Sequence, residues 1–381
     1  MDLFKFHTPT GVNEATHLTG GGEYINGLLT KEWIDRYRDA GSVTLTSRAE
    51  RGLRELLPEG TLIGLRGNTN VMMIEDHQLK DDDQAIVTTT GRSLESFLEQ
   101  RAADDNQDPY PTGGGETQDI VFDSDPQWLT WVQAESLLIN HLTGGSSGND
   151  KIHYLEIVDD VKMAAEDGTR EGRTVSRSDL YSAVKGILDV DNIGWRIVRP
   201  GPWSPAADPV NNLALVIHDG YDRRDEITMS YESGDIESAD YLWSLKPYKN
   251  VALVSGKWIE VLVGDTSKTN LDRRVLVVDG KDIDEDQPAT PTGLARTFII
   301  AAMTSRGQEA LAKQKKVALA SVTPSKGVKR YKYGVDYDIG DIVTVRGNYT
   351  ESRPMLVSEY VYIEDENGEQ GYPTLEVLEE E

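Results

Sequence analysis

No cysteine occurs in the 381 residues, which excludes disulfides, iron–sulfur clusters, thiolate zinc sites and cysteine nucleophiles. Both reducing and oxidising compartments tolerate that composition. Long apolar runs are missing too. The longest, 298–303, falls far short of the roughly 20 residues a bilayer span needs, so neither a membrane helix nor membrane insertion is expected. Residues 1–10 hold no apolar stretch of an export signal, which predicts assembly in the cytoplasm. Positive charge is scarce: 39 Lys and Arg stand against 65 Asp and Glu, a formal charge of −26. Such a surface repels phosphate backbones and anionic head groups, so specific binding of duplex DNA is not expected. Solubility or a salty habitat selects for the same acidity.

Signatures of chemistry are equally sparse. Gly20–Gly22 and Gly113–Gly115 are dense enough to wrap a phosphate, but neither belongs to a GxxxxGK[ST] or a strand-linked GxGxxG pattern, and both read as loop tips. Asp282, Asp284 and Asp286 alternate as Ca²⁺ ligands could, and Asp189 with Asp191 precedes Gly194. Neither set has the glycine and glutamate positions of an EF-hand loop, so both read as solvated acidic turns. Asp81–Asp83 reads as an exposed loop or the guard of a strand edge. His7, His17, His77, His141, His153 and His218 are scattered without HExxH spacing, and GxSxG does not occur. Paired carboxylates for glycoside cleavage carry no information in a chain with 65 acids. Trp33, Trp128, Trp195 and Trp258 sit in periodic segments, where core packing is expected, and Trp203 lies in a Pro- and Gly-rich loop. No catalytic, cofactor-binding or metal-binding residue is therefore assigned, and no cofactor is expected.

What is present is a series of short alternating runs, the mark of strands: 43–47, 61–66, 71–79, 85–89, 193–199, 213–218, 251–254, 258–263, 274–279, 341–346, 355–363 and 372–378. Four segments have helical spacing. One begins at Asp125 and Pro126 and faces inward through Trp128, Val132, Leu138, Ile139 and Leu142; a second is capped by Ser176 and Asp179 and presents Leu180, Val184, Ile187 and Leu188. Short and long helices are expected at 93–101 and 292–316, the latter carrying Leu294, Phe298, Ala301, Ala302 and Leu311. Polar, Gly-rich stretches at 102–117, 144–150, 200–209 and 279–292 read as loops. No repeat of fixed period argues for a solenoid or propeller.

Three segments together carry a resemblance. They are the strand and turn Ala85-Ile86-Val87-Thr88-Thr89-Thr90-Gly91-Arg92-Ser93-Leu94, the stretch from Ser178-Asp179-Leu180 to Gly194-Trp195-Arg196-Ile197, and the run Tyr333-Gly334-Val335-Asp336-Tyr337-Asp338-Ile339-Gly340-Asp341-Ile342-Val343. Their order and spacing resemble the siphophage minor tail proteins related to the baseplate hub of contractile tails. In the last run Gly334 and Gly340 permit sharp turns, and Asp336 and Asp341 are placed to bond turn amides.

The resemblance implies a mainly β, α+β chain of several domains, with tube-type β-barrel domains and small mixed α/β subdomains. The expected divisions are an N-terminal tube-like domain, 1–101, a mixed subdomain, 118–200, a β-rich subdomain with a C-terminal helix, 210–330, and a segment completing a barrel, 331–381. It implies a non-enzymatic homotrimeric ring at the virion tail tip. That ring joins the tail tube to the tip, docks distal tail, tape-measure, fibre or receptor-binding proteins, and lets DNA pass without specific binding. Two other functions compete: a tail-associated cell-wall hydrolase, and a carbohydrate-binding receptor module using Trp203 and Tyr221.

Overall fold

The computed structural model describes residues 1–6, 24–81, 85–103, 120–122, 129–143, 155–161, 173–175, 178–199, 213–284, 293–314, 317–324, 330–347 and 352–378. The N-terminal part supplies strands β1 (Leu3–Lys5), β2 (Thr30–Arg36), β3 (Ser42–Arg48), β4 (Leu62–Leu65), β5 (Val71–Lys80) and β6 (Ile86–Ser93), with one helical turn, α1 (Leu53–Leu56), between β3 and β4. In β3 every second residue, Val43, Leu45 and Ser47, is buried, the period-two pattern its sequence predicts. Glycine is required at Gly91 on β6: β5 bulges between Ile74 and Asp76, and a Cβ at Gly91 would lie 2.2 Å from the Met73 carbonyl oxygen. The short helix expected at 93–101 follows, as a 3₁₀ helix, Leu94–Gln100.

The middle of the chain holds β7 (Ala102–Ala103), β8 (Ile120–Phe122), α2 (Thr130–Leu138), β9 (Leu155–Asp160), β10 (Arg173–Val175), β11 (Ser178–Asp179), α3 (Leu180–Leu188), β12 (Gly194–Val198) and β13 (Leu213–His218). Strands β12, β13 and β9 form a mixed sheet, antiparallel on one side of β13 and parallel on the other. Helices α2 and α3 cover it. Asp179 caps α3 as expected, its carboxylate accepting the Ser182 N–H at 2.7 Å; Ser176 lies outside the described residues. Leu180, Val184, Ile187 and Leu188 are all buried, each side chain contributing about 1.5–3 kcal/mol by leaving water. Helix α2 buries Leu138 of the expected face, with Leu142 just beyond it and Ala134 and Leu137 beside it, but Ile139 of that face is 38% exposed. Asp125, Pro126 and Trp128 lie outside the described residues.

Next come β14 (Thr228–Ser230), β15 (Ile236–Ser244), β16 (Val251–Ser255), β17 (Glu260–Gly264), β18 (Val275–Asp279), the turn α4 (Lys281–Asp284), α5 (Gly293–Ala312) and β19 (Val317–Pro324). Strands β17, β16 and β18 make a second mixed sheet under α5, packed through Ala252, Val254, Val263, Ile299 and Met303. Phe298, expected in the inward stripe of α5, is 50% exposed. The chain ends in β20 (Ile342–Arg346), β21 (Arg353–Asp365) and β22 (Gly368–Val377).

The two ends of the chain meet in one sheet of 12 strands, ordered β1-β4-β5-β6-β3-β2-β21-β22-β19-β15, with β20 on β21 and β14 parallel to β20. The seam is β2 against β21, paired from Lys31↔Glu364 to Arg36↔Glu359. The architecture is mainly β and α+β, as expected. The tube-type barrels are not closed, however: among the described residues the strand path is open, running from an edge at β1 to an edge at β15. No helix among them is long and apolar enough to cross a membrane.

Candidate functional site

Three parts of the chain converge on Tyr37, at the end of β2. Its ring is 3% exposed and fits between Gly194 of β12 and Gly340 of the C-terminal run. A Cβ at Gly194 would stand 2.2 Å from the ring, and one at Gly340 2.4 Å from it. The phenol donates to the His218 carbonyl at 3.3 Å, and the ring meets the His218 imidazole edge-on at 5.3 Å. Burial pushes the Tyr37 hydroxyl above the usual tyrosine range.

Beside it, Asp35 is fully buried and gathers four donors. Trp33 Nε1 lies at 2.8 Å, Asn68 Nδ2 and Asn70 Nδ2 at 2.6 Å each, and the Tyr333 hydroxyl at 3.3 Å. Burial outweighs the bonds from Asn70, Asn68 and Trp33 and raises its pKa above the ordinary carboxylate value. Trp33 is thus the core tryptophan expected, and its indole N–H also orients a buried acid. Trp195 is 2% exposed, also as expected, whereas Trp258 is 45% exposed under Lys257, because its strand begins only at Glu260. Trp203 lies outside the described residues.

The C-terminal run uses its residues as turn chemistry demands. Gly334 and Gly340 take positive φ angles of 74° and 91°. Asp336 accepts the Lys332 N–H at 2.7 Å; Asp341 accepts the Tyr221 and Asp338 N–H groups at 2.7 and 3.0 Å and the Arg223 Nε at 2.8 Å. Tyr333 stacks on Tyr360 with ring centres 4.0 Å apart, and Tyr362 meets Tyr360 at 4.7 Å. Asp338 pairs with Arg196 at 2.9 Å; burial works to raise its pKa, but the Arg196 charge prevails and holds it below the ordinary value. These groups wall a cleft of about 810 Å³ lined by Asn68, Arg196, His218, Asp219, Tyr333 and Asp338.

The turn at Gly91 is joined to the same region. Glu95, 3% exposed on the 3₁₀ helix, accepts the Ile197 N–H of β12, and burial pushes its carboxyl up to about 7. Arg92 is clamped between Glu75 and Glu99 at 2.8 and 2.7 Å.

The acidic turns weighed as Ca²⁺ sites are committed within the chain. Asp282 pairs with Arg306, and Asp284, fully buried, accepts the backbone N–H groups of Lys257, Trp258 and Ile259 at 2.6, 2.7 and 2.9 Å. Asp191 accepts the Thr130 hydroxyl, and Asp189 closes α3. Asp286, Asp82, Asp83, both triple-glycine segments, His7, His17 and His153 lie outside the described residues. His77 bonds Thr89, His141 bonds the Leu137 carbonyl, and no three His, Asp or Glu among the described residues are grouped to hold a metal ion. What the site can do is mechanical: it locks the N-terminal strands, the middle sheet and the C-terminal run together. Tyr37, Asp35, Asn68 and Asn70 were not singled out in the sequence, where the asparagines look like any turn.

Comparison with known proteins fits this geometry. No curated protein matches the chain. The tail protein from Neisseria meningitidis MC58 is similar in structure, with a TM-score of 0.56 at 12% identity, covering 99% of this chain and 95% of that one. The 43 kDa tail protein of prophage MuSo2 from Shewanella oneidensis gives 0.52 at 12% identity, covering 99% and 97%. The fold is therefore that of phage tail proteins. The family described as Siphovirus ReqiPepy6 Gp37-like protein matches over residues 17–371, and the chain belongs to it: it is a structural protein related to phage tails and baseplates.

Proposed function

We propose that this chain is the subunit of a homotrimeric hub ring at the tail tip, joining the tail tube to the parts that meet the host. The observation that carries the reading is the 12-stranded sheet, whose N- and C-terminal strands form one wall that is open at β1 and β15. An open wall closes when copies add to one another across its ends, as cyclic assemblies require. The four divisions at 1–101, 118–200, 210–330 and 331–381 belong to this reading: the first and last build most of the wall, the third adds β14, β15 and β19 to it, and the second division and the remainder of the third stand outside it. There they dock distal tail, tape-measure, fibre or receptor-binding proteins.

The role is organisational and not enzymatic: Asp338 and Asp341 in the cleft and Asp282 and Asp284 in the turns are engaged in holding the fold. Assembly takes place in the host cytoplasm, and the ring ends in the virion tail. Its acidic lumen lets DNA pass without sticking, because cationic walls would bind phosphates and release them only with salt. Light scattering over a concentration series, with negative-stain images, tests the reading. A species of three chain masses with a central hole is expected; a monomer at every concentration, alone and with the neighbouring tail proteins, would defeat it. A lumen lined by Lys and Arg would defeat the account of DNA passage alone.

A further inference from the structure

The cleft beside the C-terminal run is bordered by an edge strand. Among the described residues β9 pairs only with β13, in parallel, so its other edge keeps a row of backbone N–H and C=O groups for a further strand. Leu155 and Ile157 of β9 pack into the core of the middle domain. Residues two apart on a strand share a face, so Glu156, Val158 and Asp160 turn the other way; all three line the cleft, as does Asp159. Glu156, Asp159 and Asp160 are exposed, and Val158 is half-buried beside Val216 of β13. The two arginines of the lining, Arg196 and Arg223, are already bonded to Asp338 and Asp341. Carboxylates placed in this way guard an edge against neutral or acidic strands. A strand with cations at the matching positions meets attraction instead, so the edge selects its partner by charge.

The chain itself holds the match. Residues 313–332 carry seven Lys and Arg and no acid, so the total of −26 leaves −33 for the other residues. Within that run Lys326, Val328 and Arg330 alternate as Glu156, Val158 and Asp160 do, cation for carboxylate and valine for valine. In parallel register Lys329 also falls opposite Asp159 and Gly327 opposite Ile157; in antiparallel register the two outer positions still join opposite charges. Arg330 is exposed, and residues 325–329 lie outside the described residues. Opposite charges on neighbouring strands contribute about 0.2–1 kcal/mol per pair and like charges destabilise, so these pairs set partner and register while the backbone bonds hold the strand. A ring demands two different, complementary surfaces on each copy. We infer that the β9 edge of one copy receives residues 326–330 of a second copy as an added strand, with Val328 on Val158 and the cations on Glu156, Asp159 and Asp160. This inference rests on the ring reading and names one pair of its contact surfaces.

Sedimentation velocity on the full chain tests it, with the charge reversals E156K/D160K and K326E/R330E beside the unaltered protein. The unaltered chain is expected to associate with rising concentration. Each reversal alone, with an unchanged circular dichroism spectrum, weakens association at least tenfold, most at low salt. Mixing the two reversed chains restores association, because each then meets opposite charge on the other, and a chain carrying all four substitutions associates like the unaltered one. Association unchanged by both reversals overturns this contact and leaves the ring standing. Restoration in the chain with four substitutions but not on mixing places the pairing within one chain and overturns it as well, and so does a loss that neither restores. A monomer at every concentration, alone and with the neighbouring tail proteins, defeats the ring reading itself, and the inference with it.

Discussion

The ring of Tyr37 lies where a side chain at Gly194 would begin: the two are separated by less than the width of a methyl group. Gly194→Ala is therefore expected to destabilise the fold by about 1–3 kcal/mol, the cost of forcing a methyl into a filled contact. Gly340→Ala should cost more, since its φ of 91° also disfavours an L side chain. Tyr37→Phe loses one hydrogen bond at 3.3 Å and should cost only about 0.5–1.5 kcal/mol. Urea unfolding midpoints rank the three variants. A larger loss in Tyr37→Phe than in Gly340→Ala would show that the hydroxyl, not the shape, holds the junction.

Asp35 answers four donors in a site closed to water. Asp35→Ala strands buried amide and indole N–H groups and is expected to cost about 3 kcal/mol or more. Asp35→Asn retains one acceptor oxygen and should fall between Ala and the native residue. Thermal unfolding of both variants checks the order, and near-equal losses would point to packing as the cause.

Glu95 sets a pH dependence whose sign follows from its burial. Its carboxyl titrates at about 7 in the fold, above its ordinary 4.5, so between those values the native state holds a proton that the unfolded chain has released. Stability falls as pH rises from 4.5 to 7 and levels off above. The gap amounts to about 3 kcal/mol. Glu95→Gln removes this slope: compared at pH 5 and pH 8, the native protein should lose more in urea midpoint than the variant. Equal losses would mean that Glu95 ionises without penalty.

Asp284 binds three consecutive backbone N–H groups, so Asp284→Ala should weaken the β16–β18 unit by about 2–4 kcal/mol. The same bonds leave its oxygens occupied, and millimolar Ca²⁺ or a chelator should not shift the melting temperature. A rise with Ca²⁺ that Asp284→Ala abolishes would assign it as a ligand instead.

Legibility in the sequence followed the physics of each segment. Strand β13 keeps to the bounds its apolar run predicts, and α3 announces itself by its Asp179 cap and a clean apolar stripe. Strand β2 escaped notice because Lys31, Glu32, Asp35 and Arg36 mask its period, and one of its inward residues is the buried Asp35. Strand β9 hid behind Glu156, Asp159 and Asp160 in the same way. The aspartates of the C-terminal run were read as amide acceptors, and they are. The site centred on Tyr37 was not legible, since it joins residues that meet only through tertiary structure.

The β2–β21 seam also constrains how the protein is made. Arg36 bonds Glu359 across 323 residues of chain, so β2 waits for its partner while nearly everything else is synthesised. At about 5–20 residues per second the wait lasts roughly 15–65 s. Throughout, one side of β2 is an unpaired strand edge, a template for aggregation. The charges that conceal β2 from pattern reading, Lys31, Glu32 and Arg36, are gatekeepers of the kind that keep such an edge soluble.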